Sequence, residues 1–364
     1  MLEWGRRGSF SSGQFDMKAA LILLGSFTLL ATLLPLLRME VWWIRIFDFP
    51  RLQITLLAVA VLILYPLVWE SGSVWEALFI VLLAASTLYQ IGRMLPYTPL
   101  WKKQVQQSRQ PSKGPSLRLL IANVCMPNRN GPRLLEIIRQ TDPDLILIIE
   151  ADRWWQSELD LLEKSHPFMG RHPLENTYGM LLYSRFELSG PQVRFLVQED
   201  VPSIHTGVRL PSGREIALHC LHPRPPAPTQ HPRSTERDVE LLIVGKEVRG
   251  SEKPVIVAGD LNDVAWSRTT RLFRKISGLL DPRIGRTFLN TFHAKYPFMR
   301  WPLDHVFHSP HFRLIELKRL PYFGSDHFPI LAALNLEPEA AAEQEKPQPH
   351  PGDRKEAEEK IKRN

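Results

Sequence analysis

Cysteine is nearly missing from this chain of 364 residues, which carries only Cys125 and Cys220. Two thiols cannot build a disulfide framework, and their spacing matches no zinc motif, so a small stapled secreted domain is excluded. A strong excess of one charge sign is missing too. The 45 lysines and arginines against 38 acids leave a formal charge of +7, part of it in an expected linker and tail, so charge alone does not point to nucleic acid. Aromatic side chains disappear after residue 337, where Glu, Lys, Ala, Pro and Gln dominate. That composition cannot bury a core, and residues 337–364 read as a disordered charged tail.

Charge is also absent from three runs near the N-terminus: residues 19–37, 52–68 and 77–92. At 1.5 Å per residue the first is long enough to cross a bilayer core, and the second nearly so. The third is extendable because Arg93 can snorkel to the headgroups. A buried core helix, or a signal peptide for the first run, is the bland alternative. Three runs in succession, with Trp42 and Trp43 at a margin suited to the interface, favour three transmembrane helices in an anchor spanning residues 1–97. Arg6, Arg7 and Lys18 would then lie on one side, and Arg38, Arg45, Arg51, Arg93, Lys102 and Lys103 on the other. The positive-inside rule puts the richer side, and the large C-terminal domain with it, in the cytoplasm.

Length allows roughly two domains, and 44% apolar residues suffice for a sizeable core. Residues 98–116 are rich in Pro, Gln, Ser and Lys and read as a linker. A soluble domain is expected over 117–336. Its apolar runs at 117–123, 145–149, 179–185, 204–210, 215–221, 255–258, 303–307, 312–320 and 328–336 read as strands. Helices are expected at 132–140, 154–164, 234–248 and 266–275. This alternation suggests a two-layered sheet core flanked by helices.

The most informative stretch is residues 255–263, Val-Ile-Val-Ala-Gly-Asp-Leu-Asn-Asp. A β-branched run stops at Gly259, so Asp260 and Asn262 emerge together on a strand-end loop. One can hold a water or metal while the other holds a phosphate oxygen. Taken alone the stretch reads equally well as an ordinary polar turn after a strand. Company changes that reading: Asn123, Glu150, His222, Asp304, Asp326 and His327 also lie at or near the ends of apolar runs. Of His219 and His222, three residues apart, the second leaves the strand and is preferred as the reactive one. His166, His172, His293 and His311 have no such context and read as surface residues.

In order, Ala122-Asn123-Val124, Ile149-Glu150, Gly179-Met-Leu-Leu-Tyr-Ser-Arg185, His222-Pro223, Gly259-Asp-Leu-Asn262, Leu303-Asp304-His-Val-Phe307 and Ser325-Asp-His327 resemble the motifs of the endonuclease/exonuclease/phosphatase superfamily. The likeness spans about 117–336. With its membrane anchor, the layout resembles bacterial members of a YafD-like branch, which implies the inner membrane as location. The resemblance implies a deoxyribonuclease I-like α+β fold, a four-layered α/β/β/α sandwich. It implies Glu150 as main ligand of Mg²⁺ or Mn²⁺, with Asn123 and Asp326 beside it. Asp260 would activate the attacking water, and Asn123, Asn262, His222 and His327 would hold the phosphate, with Asp304 fixing the tautomer of His327. The implied activity is in-line hydrolysis of a phosphodiester or phosphomonoester. Its substrate could be a nucleic acid, with Arg224, Arg233, Arg268, Arg271, Arg274, Arg283 and Arg286 supplying charge and Trp266 and Trp301 stacking. It could equally be a lipid headgroup, with membrane lipids held by the N-terminal helices. The alternative is a catalytically silent membrane-tethered scaffold with the same fold.

Overall fold

The computed structural model describes residues 12–69, 73–109, 116–227 and 231–363. Arg6, Arg7 and residues 110–115 of the expected linker lie outside these. The described chain divides into two compact units: one containing residues 12–39 and 43–95, and one containing residues 40–42 and 96–363.

The first unit is helical: α1 (Ser12–Leu33), most of the short α2 (Trp42–Arg45), α3 (Arg51–Leu64) and α4 (Val74–Met94). With their short extensions, Gly13–Leu36, Arg51–Val68 and Val74–Tyr97 have mean hydropathies of 2.2, 2.0 and 1.7, long and apolar enough to cross a membrane. Much of their apolar surface faces outward, Leu23, Leu30, Leu56, Ile63 and Leu88 among it. Water would penalise that exposure and hydrocarbon would not. Inside, Leu21, Ala58, Val61, Tyr65 and Leu83 pack together. Arg51 bonds Asp48 Oδ1 at 2.5 Å and Gln90 Oε1 at 2.5 Å, and Arg45 reaches Asp48 Oδ2 at 3.3 Å. These two arginines, counted above toward orientation, are therefore buried against a carboxylate rather than free at an interface.

The second unit holds two sheets. β1 (Ser116–Asn123), β2 (Leu145–Ile149), β3 (Phe168–His172), β4 (Met180–Ser184), β10 (Phe312–Arg319) and β11 (Ile330–Leu336) form one, in the order β10-β11-β1-β2-β4-β3. β5 (Glu187–Arg194), β6 (Ser203–Arg209), β7 (Glu215–Leu221), β8 (Val255–Asp260) and β9 (Asp304–His308) form the other, in chain order. Each sheet has one parallel pair, β1–β2 and β7–β8; the remaining pairs are antiparallel. The continuous apolar runs are the strands buried on both faces, as β2 and β8 are along their whole length. One set of alternate residues, including Leu119, Ile121, Leu147 and Ile149, meets Leu218, Cys220, Ile256 and Ala258 of the facing sheet. The outer faces are covered by α5 (Gly131–Thr141) and α6 (Arg153–Leu159) on the first sheet, and by α7 (Thr235–Arg249) and α8 (Arg268–Ser277) on the second. The result is the α/β/β/α sandwich. β3 and β5 escape a reading of apolar runs because they are half-exposed edge strands interrupted by Gly170, Gly190 and Pro191.

Three expectations need correction. Within the expected linker, residues 98–109 pack onto the domain: Val105 is fully buried, and the Ser108 amide donates to Leu314 O at 2.8 Å. The tail is not disordered either. It forms α9 (Ala340–Glu343) and α10 (Pro351–Lys362), the latter lying on α7 and α8. Its sequence lacks apolar mass, but charge complementarity replaces it. Lys360 Nζ reaches buried Asp238 at 2.8 Å, Arg268 holds Glu356, and Lys275 holds Asp353 at 2.9 Å, while Ala357 completes a small apolar cluster with Leu242, Leu272 and Ile276. His166 is likewise no surface residue; it is buried, with Nε2 at 2.9 Å from Pro143 O.

Truncation before Pro351 removes the α10 packing and strips one cation from Asp238, which keeps Arg237. The expected cost is on the order of 1–3 kcal/mol. Scanning calorimetry of the detergent-solubilised chain should show a melting midpoint lower by several degrees; an unchanged midpoint would show that the helix adds no stability.

Candidate active site

The parallel pairs place several functional groups. In each sheet two adjacent strands run the same way, so their C-terminal ends lie side by side. Asn123 ends β1 and Glu150 follows β2; His222 follows β7 and Asp260 ends β8. Asp304, first residue of the antiparallel β9, is in register with Asp260. His327 comes from the loop between β10 and β11.

Local backbone geometry explains the residue choices. Gly259 has φ +145°, and a Cβ there would sit 1.9 Å from Leu221 O, so only glycine lets β8 approach β7 at this point. Glu150 and Asn262 take the left-handed conformation, with φ of 61° and 50°. Both are non-glycine residues in a disfavoured region, as happens where side-chain placement outweighs backbone comfort.

The side chains form one connected network. Asn123 Oδ1 accepts from the Cys125 amide at 2.9 Å, which fixes the direction of the side-chain amide. Its Nδ2 then donates to Glu150 Oε1 at 2.8 Å and to Asp260 Oδ2 at 3.0 Å. His327 Nε2 lies 3.4 Å from Asp260 Oδ2, and its Nδ1 lies 2.8 Å from Asp304 Oδ2. His222 Nε2 stands 4.0 Å from both Glu150 Oε1 and Asp260 Oδ2. Asn262 donates its backbone amide to Asp260 Oδ1 at 2.9 Å and its side-chain amide to Pro223 O at 3.0 Å. Asp326 is half-buried next to this network; its charge acts on Glu150 without a direct hydrogen bond to it among the described residues. His219 points elsewhere, to His205.

Burial and mutual charge set the ionisation. Desolvation pushes the Glu150 carboxyl up to about 7, opposed by the Asn123 hydrogen bond and the His327 charge. Burial raises Asp260 as well, while His327 and His222 oppose it. For His327, burial favours the neutral ring, but Asp304 and Asp260 outweigh it and raise it to about 10. His222 is driven down to about 4 by burial and stays neutral. The site thus pairs an imidazolium with a neutral imidazole.

The donor set suits a hard divalent cation. Among the described residues, Glu150, Asp260 and Asp304 form no ion pair with lysine or arginine, and buried Asp304 Oδ1 and His222 Nδ1 have no hydrogen-bond partner. Both nitrogens of His327 face carboxylates, so Glu150, with Asn123 and Asp326 nearby, is the better place for a cation than the Asp260–Asp304–His327 group.

Several positioning residues were not singled out from the sequence. Ser325 Oγ donates to Asn123 O at 2.8 Å and accepts from the His327 amide at 3.0 Å, tying the His327 loop to the end of β1 in the same sheet. Arg237, buried on α7, holds Asn262 O at 2.7 Å. Tyr178 packs its ring 5.3 Å from His222, and Phe292 lies 4.9 Å from His327. Ser325 opens a quoted motif, though no role was read for it, and Tyr178 directly adjoins another. Arg237 and Phe292 carry no local signal, because their partners are distant in sequence.

Comparison with curated proteins gives no match. Among solved structures, the chain is similar to an endonuclease/exonuclease/phosphatase from Beutenbergia cavernae DSM 12333, at 20% identity and TM-score 0.50, covering 61% of this chain and 72% of that one. It is also similar to D. rerio TDP2 complexed with single strand DNA product, at 17% identity and TM-score 0.50, covering 60% and 99%. These likenesses show the deoxyribonuclease I-like sandwich and no more. The family model described as Endonuclease/Exonuclease/phosphatase family matches residues 120–327, from β1 to His327 and thus more than half the chain. The chain belongs to the endonuclease/exonuclease/phosphatase family.

Proposed function

We propose that the second unit is a divalent-metal-dependent phosphohydrolase, anchored in a membrane by the three N-terminal helices, that cleaves a phosphoester by in-line attack of an activated water. The observation that carries this reading is the Asn123 side chain, which joins Glu150 to Asp260 while Asp260 faces His327. Glu150, helped by Asn123 and Asp326, would hold Mg²⁺ or Mn²⁺. Such an ion, when bound, neutralises phosphate oxygens and eases departure of an alkoxide. Asp260 would orient the water and take its proton. Cationic His327, steadied by Asp304, would face the negative charge that develops on the phosphate. Neutral His222 and the free amide hydrogen of Asn262 would donate to the remaining oxygens.

Two features bear on the substrate. Most arginines that could have lined a nucleic-acid groove are already committed: Arg283 to buried Asp281, Arg268 to Glu356, Arg224 to Asp200 and Arg274 to Gln104. Trp266 is buried and cannot stack on a base. Next to His327, by contrast, the 295–300 loop exposes Tyr296, Phe298 and Met299, with Phe298 88% exposed. An apolar tip beside the site favours a phosphoester at a lipid interface over a polynucleotide.

Asp260→Ala and His327→Ala should each leave a folded chain whose Mg²⁺-dependent hydrolysis of bis-p-nitrophenyl phosphate falls on the order of 10²–10⁴-fold, and EDTA should abolish turnover. Full activity in either variant would remove these residues from the chemistry, and silence of the wild type across several phosphoesters would favour the scaffold alternative. Phospholipid vesicles should be turned over faster than plasmid DNA; the reverse order would make the protein a nuclease.

A further inference from the structure

Two further histidines and an acid gather on the outer face of the second sheet, where α7 covers it. His205 on β6 and His219 on β7 are cross-strand partners, with Nδ1 atoms 2.6 Å apart. Glu247 comes down from α7, and one ligating atom from each of the three lies within 4.8 Å of the others. We propose that His205, His219 and Glu247 form a second metal site, for a borderline ion of the Zn²⁺ type, separate from the phosphoester site.

The hydrogen-bond pattern supports it. Ser203 Oγ donates its single proton to Arg194 O at 3.1 Å. It must therefore accept from His205 Nε2, 2.8 Å away, which carries the ring proton. His205 Nδ1 is left as a lone pair aimed at His219. An imidazole held by an oxygen at its far nitrogen, with the near one bare, is the arrangement of a metal-ligating histidine. Without metal, the His219 Nδ1–H donates into that lone pair; with metal, the proton moves to Nε2 of the same ring and both Nδ1 atoms ligate. Two nitrogens on one tetrahedral ion stand roughly 3.3 Å apart. A small turn of half-buried His219 accommodates the difference.

The remaining groups fit the same role. Arg194 holds both oxygens of Glu247 at 2.8 Å, which orients the carboxylate and leaves each oxygen further lone pairs. Burial lowers His205 to about 3 and His219 to about 4, so both rings stay neutral at physiological pH. Imidazole nitrogens suit Zn²⁺, Ni²⁺ or Cu²⁺ better than Mg²⁺. A bound ion would clamp α7, which carries Arg237, to β6 and β7.

The test uses the untagged full chain in detergent, stripped with chelator and dialysed against micromolar Zn²⁺ in excess Mg²⁺. The wild type should retain one equivalent of Zn²⁺, and Co²⁺ in its place should give a visible absorption band. His205→Gln and His219→Gln should lose both, and Ser203→Ala should weaken binding by about 10–100-fold. Glu150→Gln should keep the equivalent, which separates this site from the catalytic one. Should a histidine variant misfold, Glu247→Gln at the exposed rim gives the same reading with the core untouched, through at least about tenfold weaker binding. No retained Zn²⁺ in the wild type, or full retention in a folded histidine variant or in Glu247→Gln, would overturn the proposal and leave a histidine–histidine hydrogen bond beside an ordinary ion pair.

Discussion

The candidate site depends on the amide of Asn123. It ends a strand of one sheet, and its two hydrogens satisfy Glu150 of the same sheet and Asp260 of the other. A buried carboxylate such as Asp260 and a partly buried one such as Glu150 cannot approach each other without a shared donor or cation, because each would raise the cost of ionising its neighbour. The amide supplies the donor at the seam of the sandwich. From Asp260 the chain of contacts continues through His327 to Asp304, so acid, amide and imidazole share one electrostatic unit.

The topology makes this possible. A parallel pair brings two strand ends to one edge of a sheet, and each sheet has one such pair, bridged by a helix, α5 in one and α7 in the other. Stacking the sheets brings four of these ends together. That is the physical reason why Asn123, Glu150, His222 and Asp260, 137 residues from first to last by the bond that links them, meet at one place. Ser325 then fastens the His327 loop to Asn123, so the groups are held by backbone contacts as well as by each other.

The second unit also displays how charge substitutes for apolar surface. α10 docks through Lys360, Glu356 and Asp353 around a single buried alanine, and residues 98–109 are stitched to β10 by backbone hydrogen bonds. Composition argued for a linker in the one segment and disorder in the other. It misled because ion pairs and backbone pairing depend on the surface met, and segment composition carries no record of that surface.

By itself the sequence determined the local events. Uncharged runs of helical length gave three apolar helices, continuous β-branched runs gave doubly covered strands, and a glycine ahead of an acid marked where β8 had to stop. Those are properties of a window a few residues wide. It also marked the polar strand ends, with His222 just past its strand and His219 inside it. Tertiary structure decided what those ends face: the sharing of Asn123 between Glu150 and Asp260, the burial that keeps His222 neutral while carboxylates hold His327 charged, the grip of Arg237 on Asn262, and the pairing of His219 with His205. Each of these depends on solvent exclusion and on partners far off in the chain, and both exist only once the sheets have packed.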